Sequence, residues 1–88
     1  MTDVLSEARA AIDAVDREVL ACLNRRLELV RGLHEHKVAN GIPLRDPGRE
    51  EAMLAALVAA NPGPLSDRGV ADVVAFLLDL TRRELHGA

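Results

Sequence analysis

Aromatic side chains are almost missing from this sequence: Phe76 stands alone among 88 residues, with no tryptophan and no tyrosine. The core must then come from Leu, Val and Ala, a composition that favours helices packed on helices. Without aromatic stacking platforms or a basic run, and with a formal charge of −3, the chain has no face suited to nucleic acid. Cys22 is the single cysteine, which excludes an intrachain disulfide and a cysteine zinc site. It reads as a small core residue. No apolar run approaches the roughly 20 residues of a membrane span, and the opening Met-Thr-Asp has neither the basic nor the apolar region of a leader. The expectation is a soluble, cytoplasmic protein with no membrane or nucleic-acid partner. Its residues, 1–88, form one domain with a modest core, because small domains bury a lower fraction of their surface.

Proline is absent from Thr2 to Asn40, where Gly32 is the one glycine. Leu5, Ala8, Ile12, Val15, Val19, Cys22, Arg26, Leu33 and Lys37 recur at spacings of three, four or seven, which is one stripe on a helix. Such a helix would run for roughly 54 Å at 1.5 Å per residue. The rest of the chain cannot cover it, so a second copy must lie along the stripe, and a homodimer is expected. Asn40-Gly41-Ile42-Pro43 ends the helix, since Gly41 takes a left-handed C-cap conformation and Pro43 cannot continue it. Asp46 before Pro47 reads as an N-cap with proline in the first helical position. That second helix reaches about Ala60 with Met53, Leu54, Leu57 and Val58 inward, and Asn61-Pro-Gly-Pro stops it. Ser66 caps a third helix, on which Val70, Val73, Val74, Leu77, Leu78 and Leu85 share a face with Thr81. The fold class is all-α, a three-helix protomer with a long N-terminal helix.

The informative residues are those that interrupt the apolar stripe. Arg26 and Lys37 both fall on it, about 16 Å apart along the axis, with no acidic residue on the stripe beside them. Their stems can lie on apolar surface with the charges snorkelling to water. On a helix buried in a dimer, however, acidic side chains from elsewhere or an anionic ligand must compensate them. Arg9 sits about 100° round the helix from Arg26, so only a crossed or antiparallel partner helix brings both to one point; alone it reads as a solvated cation. The stretch Gly41–Glu50, GIPLRDPGRE, crowds Arg45, Asp46, Arg49 and Glu50, and then Glu51, beside two prolines and two glycines. Glu50 in a first helical turn is stabilised by the helix dipole, or it pairs with Lys37 or Arg26. Thr81 among leucines reads as bonded to the carbonyl one turn back. His34, His36 and His86 have no metal spacing and read as surface residues. No Ser/His/Asp set, phosphate-cradling glycine loop or zinc motif is present, so no metal or cofactor is expected. Arginines and a lysine with one glutamate suit a small polycarboxylate, clamped bidentately by arginine.

The segments ARAAIDAVD, NRR and HKVANGIPLRDPGRE together resemble the all-helical, type II class of chorismate mutases, isomerases of the shikimate pathway to phenylalanine and tyrosine, from about Ala8 to Leu85. The resemblance implies an intertwined homodimer of three-helix protomers with two equivalent sites. It implies that Arg26 holds one substrate carboxylate and that Arg9 of the other protomer holds a carboxylate as well. Lys37 bonds the ether oxygen and a carboxylate, Asp46 contributes through its backbone, Glu50 accepts from the ring hydroxyl and Arg49 borders the site. Thr81 falls where the family has a serine. Lys37, Arg26 and Glu50 are the catalytic residues of this reading. The implied reaction turns chorismate into prephenate without a covalent intermediate, which fits a cationic site with no nucleophile.

One departure stands out. Many family members carry a glutamine one turn after the serine as a second donor to the ether oxygen, and four residues after Thr81 is Leu85. Either the site lacks this donor, or a helix shift brings Glu84 into its place. A carboxyl group donates only when protonated, so the Glu84 version implies activity that rises as pH falls. The departure leaves room for relatives that split isochorismate or rearrange 4-amino-4-deoxychorismate, for a weak mutase activated by a partner enzyme of the same pathway, and for a non-catalytic helical dimer module.

Overall fold

The computed structural model describes residues 3–86. Its elements are α1 (Val4–Ala39), α2 (Pro47–Ala60) and α3 (Asp67–His86), with no strand among the described residues. The expected start near Thr2 lies outside them; the first helical residue is Val4. The chain divides into two compact units, Met1–Leu33 and His34–Ala88, and the division falls inside α1.

In the first unit, Asp3 caps α1. Its Oδ1 accepts from Leu5 N–H at 3.1 Å, a backbone donor that a helix start leaves unpaired, and its Oδ2 accepts from the Ser6 hydroxyl at 2.9 Å. No residue of α1 is buried. Leu5, Ile12, Val15 and Val19 are each about half exposed, from 49% to 58%. Cys22, read from the sequence as a core residue, is exposed as well, because nothing within its own unit covers it. Among the described residues no helix is long and apolar enough to cross a membrane.

In the second unit, α1 ends in a double closure. Gly41 N–H donates to the Val38 carbonyl at 3.4 Å and Ile42 N–H to the Lys37 carbonyl at 2.9 Å, the Schellman pattern, which needs a left-handed residue at its turn. Gly41 supplies it with φ of 66°. The Asn40 side chain also donates to the His36 carbonyl at 2.8 Å. Asp46 is the N-cap of α2, its Oδ1 accepting from Arg49 N–H at 3.0 Å, and Pro47 follows at the first helical position. Ser66 Oγ accepts from Gly69 N–H at 3.0 Å to start α3. Between these helices Asn61 braces the proline-rich turn, accepting from Gly63 N–H at 3.2 Å and donating to the Leu65 carbonyl at 2.6 Å.

Helices α2 and α3 pack together, and the buried hydrophobic residues of the described chain, Val70 and Val74, lie on α3. Leu77, Leu78, Thr81 and Leu85 continue their face half-buried. Two apolar residues expected inward remain exposed: Val73 at 47% and Leu57 at 41%. Val73 sits at the edge of the α3 stripe, three residues before the exposed Phe76, and a helix face of about 100° per residue turns both away from Val70 and Val74.

The two turn residues make separable predictions. Gly41→Ala forces a side chain into the left-handed region and is expected to lower unfolding free energy by about 1 kcal/mol. Asp46→Ala is expected to remove the α2 cap at a similar cost of about 1 kcal/mol, while Asp46→Asn keeps it. Urea denaturation at one protein concentration measures both, and an unchanged midpoint for either alanine variant contradicts the role given to that residue.

Candidate active site

The stretch GIPLRDPGRE folds into a loop and a first helical turn held at three places. The loop leaves α1 through the Lys37 carbonyl, which accepts from Ile42 N–H. Further on, the Lys37 ammonium donates to the Leu44 carbonyl at 3.5 Å. At its end the Asp46 carboxylate caps Arg49 N–H, and the Asp46 carbonyl accepts from Glu50 N–H at 3.1 Å. Lys37 is therefore tied by backbone and side chain to the segment that launches α2. Its position in the last turn of α1 also suits a cation, since the carbonyl end of a helix carries partial negative charge.

Within this loop Arg45 pairs with Glu50, Nη2 to Oε2 at 3.5 Å. The partners differ sharply in exposure, 71% for the arginine side chain and 25% for the glutamate, so the carboxylate is held against the protein while the guanidinium reaches it from the solvent side. From the sequence alone, Glu50 falls to the helix dipole or to Lys37 or Arg26, and Arg45 is not among its expected partners, although a signal for it exists. Arg45 is the residue before the N-cap and Glu50 the fourth of the helix, the spacing at which hydrophobic staples meet.

The second unit thus ties Lys37, in the last turn of α1, to the loop that ends at Asp46, with Arg49 and Glu50 in the first turn of α2 that follows. Asp46 and Arg49 are exposed, Lys37 and Glu50 half-buried. On α3, Thr81 and Leu85 are half-buried one turn apart, whereas Glu84 is exposed. In the first unit, α1 carries Arg9, exposed, and Arg26, half-buried. The His34 and His86 rings meet with centroids 4.6 Å apart. No group of three or more metal-ligating side chains forms among the described residues.

Residues 8–85 match the family described as chorismate mutase type II. The chain belongs to the chorismate mutase type II family. The matched span takes in every candidate site residue from Arg9 to Leu85. The T-protein of Haemophilus influenzae is 41% identical over 54 residues, 61% of this chain and 14% of that protein. A bifunctional chorismate mutase/prephenate dehydratase of Neisseria gonorrhoeae is 39% identical over 69 residues, 78% of this chain and 18% of its own length. The chain thus spans less than a fifth of the length of these curated relatives. Among solved structures, a chorismate mutase from Thermus thermophilus superposes with a TM-score of 0.87 at 34% identity, covering 90% of this chain and 99% of that one.

For a member of this family, the α3 face carries the clearest departure. Leu85, and not Glu84, shares the half-buried side with Thr81. The side chain that α3 half-buries one turn after Thr81 is therefore an isobutyl group, which can donate no hydrogen bond.

Proposed function

We propose that this protein rearranges chorismate to prephenate, and the observation that carries the proposal is that the family match from residue 8 to residue 85 contains the full cationic set together with Glu50. The ether C–O bond breaks as the new C–C bond forms, so no side chain need become covalently attached and no proton need be moved. What the chain supplies is placement and charge. Arg26, with the partner's Arg9, holds the two carboxylates and keeps the substrate in its compact conformer. Lys37 stabilises the negative charge that grows on the ether oxygen. Glu50 receives the ring hydroxyl, Asp46 contributes a backbone group, and Arg49 and Thr81 border the site. The same reading places the enzyme in the cytoplasm.

Homodimerisation belongs to this reading, and the exposed stripe of α1 supports it: Leu5, Ile12, Val15 and Val19 would be costly to leave in water at about 25 cal/mol per Å². Arg9 and Arg26 also differ by about 100° round one helix, so one site receives both only from two chains.

Incubation of the purified protein with chorismate, followed by NMR, is expected to show prephenate. Lys37→Ala is expected to lower kcat/KM by about a hundredfold or more without changing the thermal midpoint comparably, and retained turnover would exclude Lys37. Slow wild-type turnover that rises when an enzyme of the same pathway is added would establish an activating partner. Isochorismate and 4-amino-4-deoxychorismate serve as competing substrates in the same assay.

Leu85→Gln is expected to raise kcat about tenfold by adding a donor beside Lys37, measured under the same conditions; no gain would mean that Leu85 lies away from the ether oxygen.

Light scattering is expected to give twice the chain mass of 9.5 kDa. Val15→Glu is expected to shift the protein to monomer and abolish turnover together, and a monomeric wild type with full activity would refute the shared site.

A further inference from the structure

The Arg45–Glu50 pair differs from the other ion pairs of the described residues in its carboxylate, whose side chain is 25% exposed against 55% or more for Asp72 and Asp79. Three contacts fix the loop on either side of Arg45: Ile42 N–H on the Lys37 carbonyl, the Lys37 ammonium on the Leu44 carbonyl, and the Asp46 cap on Arg49. With residue 44 anchored and residue 46 holding the cap, Arg45 is delivered to the position from which it faces the fourth helical residue. Its guanidinium takes Oε2 of Glu50 at 3.5 Å, and the glutamate side chain retains 25% exposure. Isolated exposed pairs add little to stability. The consequence of this one falls on the orientation of a carboxylate that is mostly covered.

We propose that Arg45 is a positioning residue for the reaction: by holding Oε2 of Glu50, it directs the second oxygen, Oε1, to accept from the substrate's ring hydroxyl. This inference rests on the reading of the site given under Proposed function. Arg45 touches no reacting atom in this arrangement and acts through Glu50. The loop then couples the two ends of the substrate's polar recognition, since the backbone that accepts from Lys37 at Leu44 continues directly into the side chain that sets Glu50.

Steady-state kinetics on the full chain test this with Arg45→Ala, Arg45→Lys, Glu50→Gln and the double variant Arg45→Ala/Glu50→Gln. Arg45→Ala is expected to lower kcat about tenfold through misplacement of Glu50, with the thermal midpoint unchanged, and Arg45→Lys to recover part of the loss. In the Glu50→Gln background, Arg45→Ala is expected to have no further effect. With a chorismate analogue lacking the ring hydroxyl, Arg45→Ala and wild type are expected to turn over alike. An equal loss in both backgrounds, a loss that persists with the deoxy analogue, or no loss at all overturns the role of Arg45. A fall in activity that only follows a fall in thermal midpoint does so too, by making the residue a plain structural brace. A wild type inert on chorismate removes the proposed function and this inference together, whereas an active wild type insensitive to Arg45 removes the inference alone.

Discussion

The hydrogen bond from Ile42 N–H to the Lys37 carbonyl is the interaction on which the candidate site depends. It closes the last turn of α1, the turn that carries the lysine, and it does so only because Gly41 accepts a positive φ. A helix continued by two residues would carry Ile42 and Pro43 onward along α1 and leave no path by which the Leu44 carbonyl meets the Lys37 ammonium. The closure therefore turns a linear spacing of thirteen residues between Lys37 and Glu50 into a short tethered arrangement. Each further tether follows from its own local chemistry: the Asp46 cap before Pro47, the first-turn position of Glu50, and Arg45 just outside the cap.

A second constraint is the mismatch between the length of α1 and the size of the chain. A helix of 36 residues with none buried is a poor way to stabilise a single 88-residue protomer, because burial of apolar surface is the main favourable term. The same stripe carries Arg26 and Lys37, and the neighbouring faces carry Arg9. Under the proposed function, one surface serves two purposes. It makes association favourable, and it brings cations from two chains to a dianionic substrate whose charge offsets theirs. Under that same proposal, the coupling accounts for the polar residues that interrupt an otherwise apolar stripe and ties activity to association.

Local signals in the sequence translated well into structure. The Asn40-Gly41-Ile42-Pro43 stop, the Asp46-Pro47 start and the Ser66 cap each depend on a few adjacent residues whose backbone preferences are strong, and each appears as expected. Readings that needed a neighbour were less secure. Cys22 read as core because it lies on the stripe, yet burial depends on what covers a residue, and the protomer leaves it exposed. Val73 lies at the edge of its stripe, where a small rotation separates inside from outside. The Lys37–Leu44 contact was not legible, because a backbone carbonyl has no signature in residue identity. The Arg45–Glu50 pair was legible in principle from the cap position, but the more general explanation by the helix dipole concealed it.

Leu85 bears on how far such a site can depart from its family's pattern. In a pericyclic rearrangement the protein need not move a proton, so losing one donor weakens charge stabilisation without removing a step. A nucleophile or general base in the same position would be indispensable. Exposure of Glu84 and half-burial of Leu85 beside Thr81 argue that α3 presents the apolar side chain. The electrostatic work of the proposed reaction then rests more heavily on Lys37, and correct substrate placement gains weight relative to charge. A loop that fixes both Lys37 and Glu50 is the kind of compensation such a site would require, since rigid placement lowers the barrier by a different route from an added donor. Under the proposed function, the tethered geometry of Gly41–Glu50 and an apolar Leu85 on α3 are two sides of one arrangement.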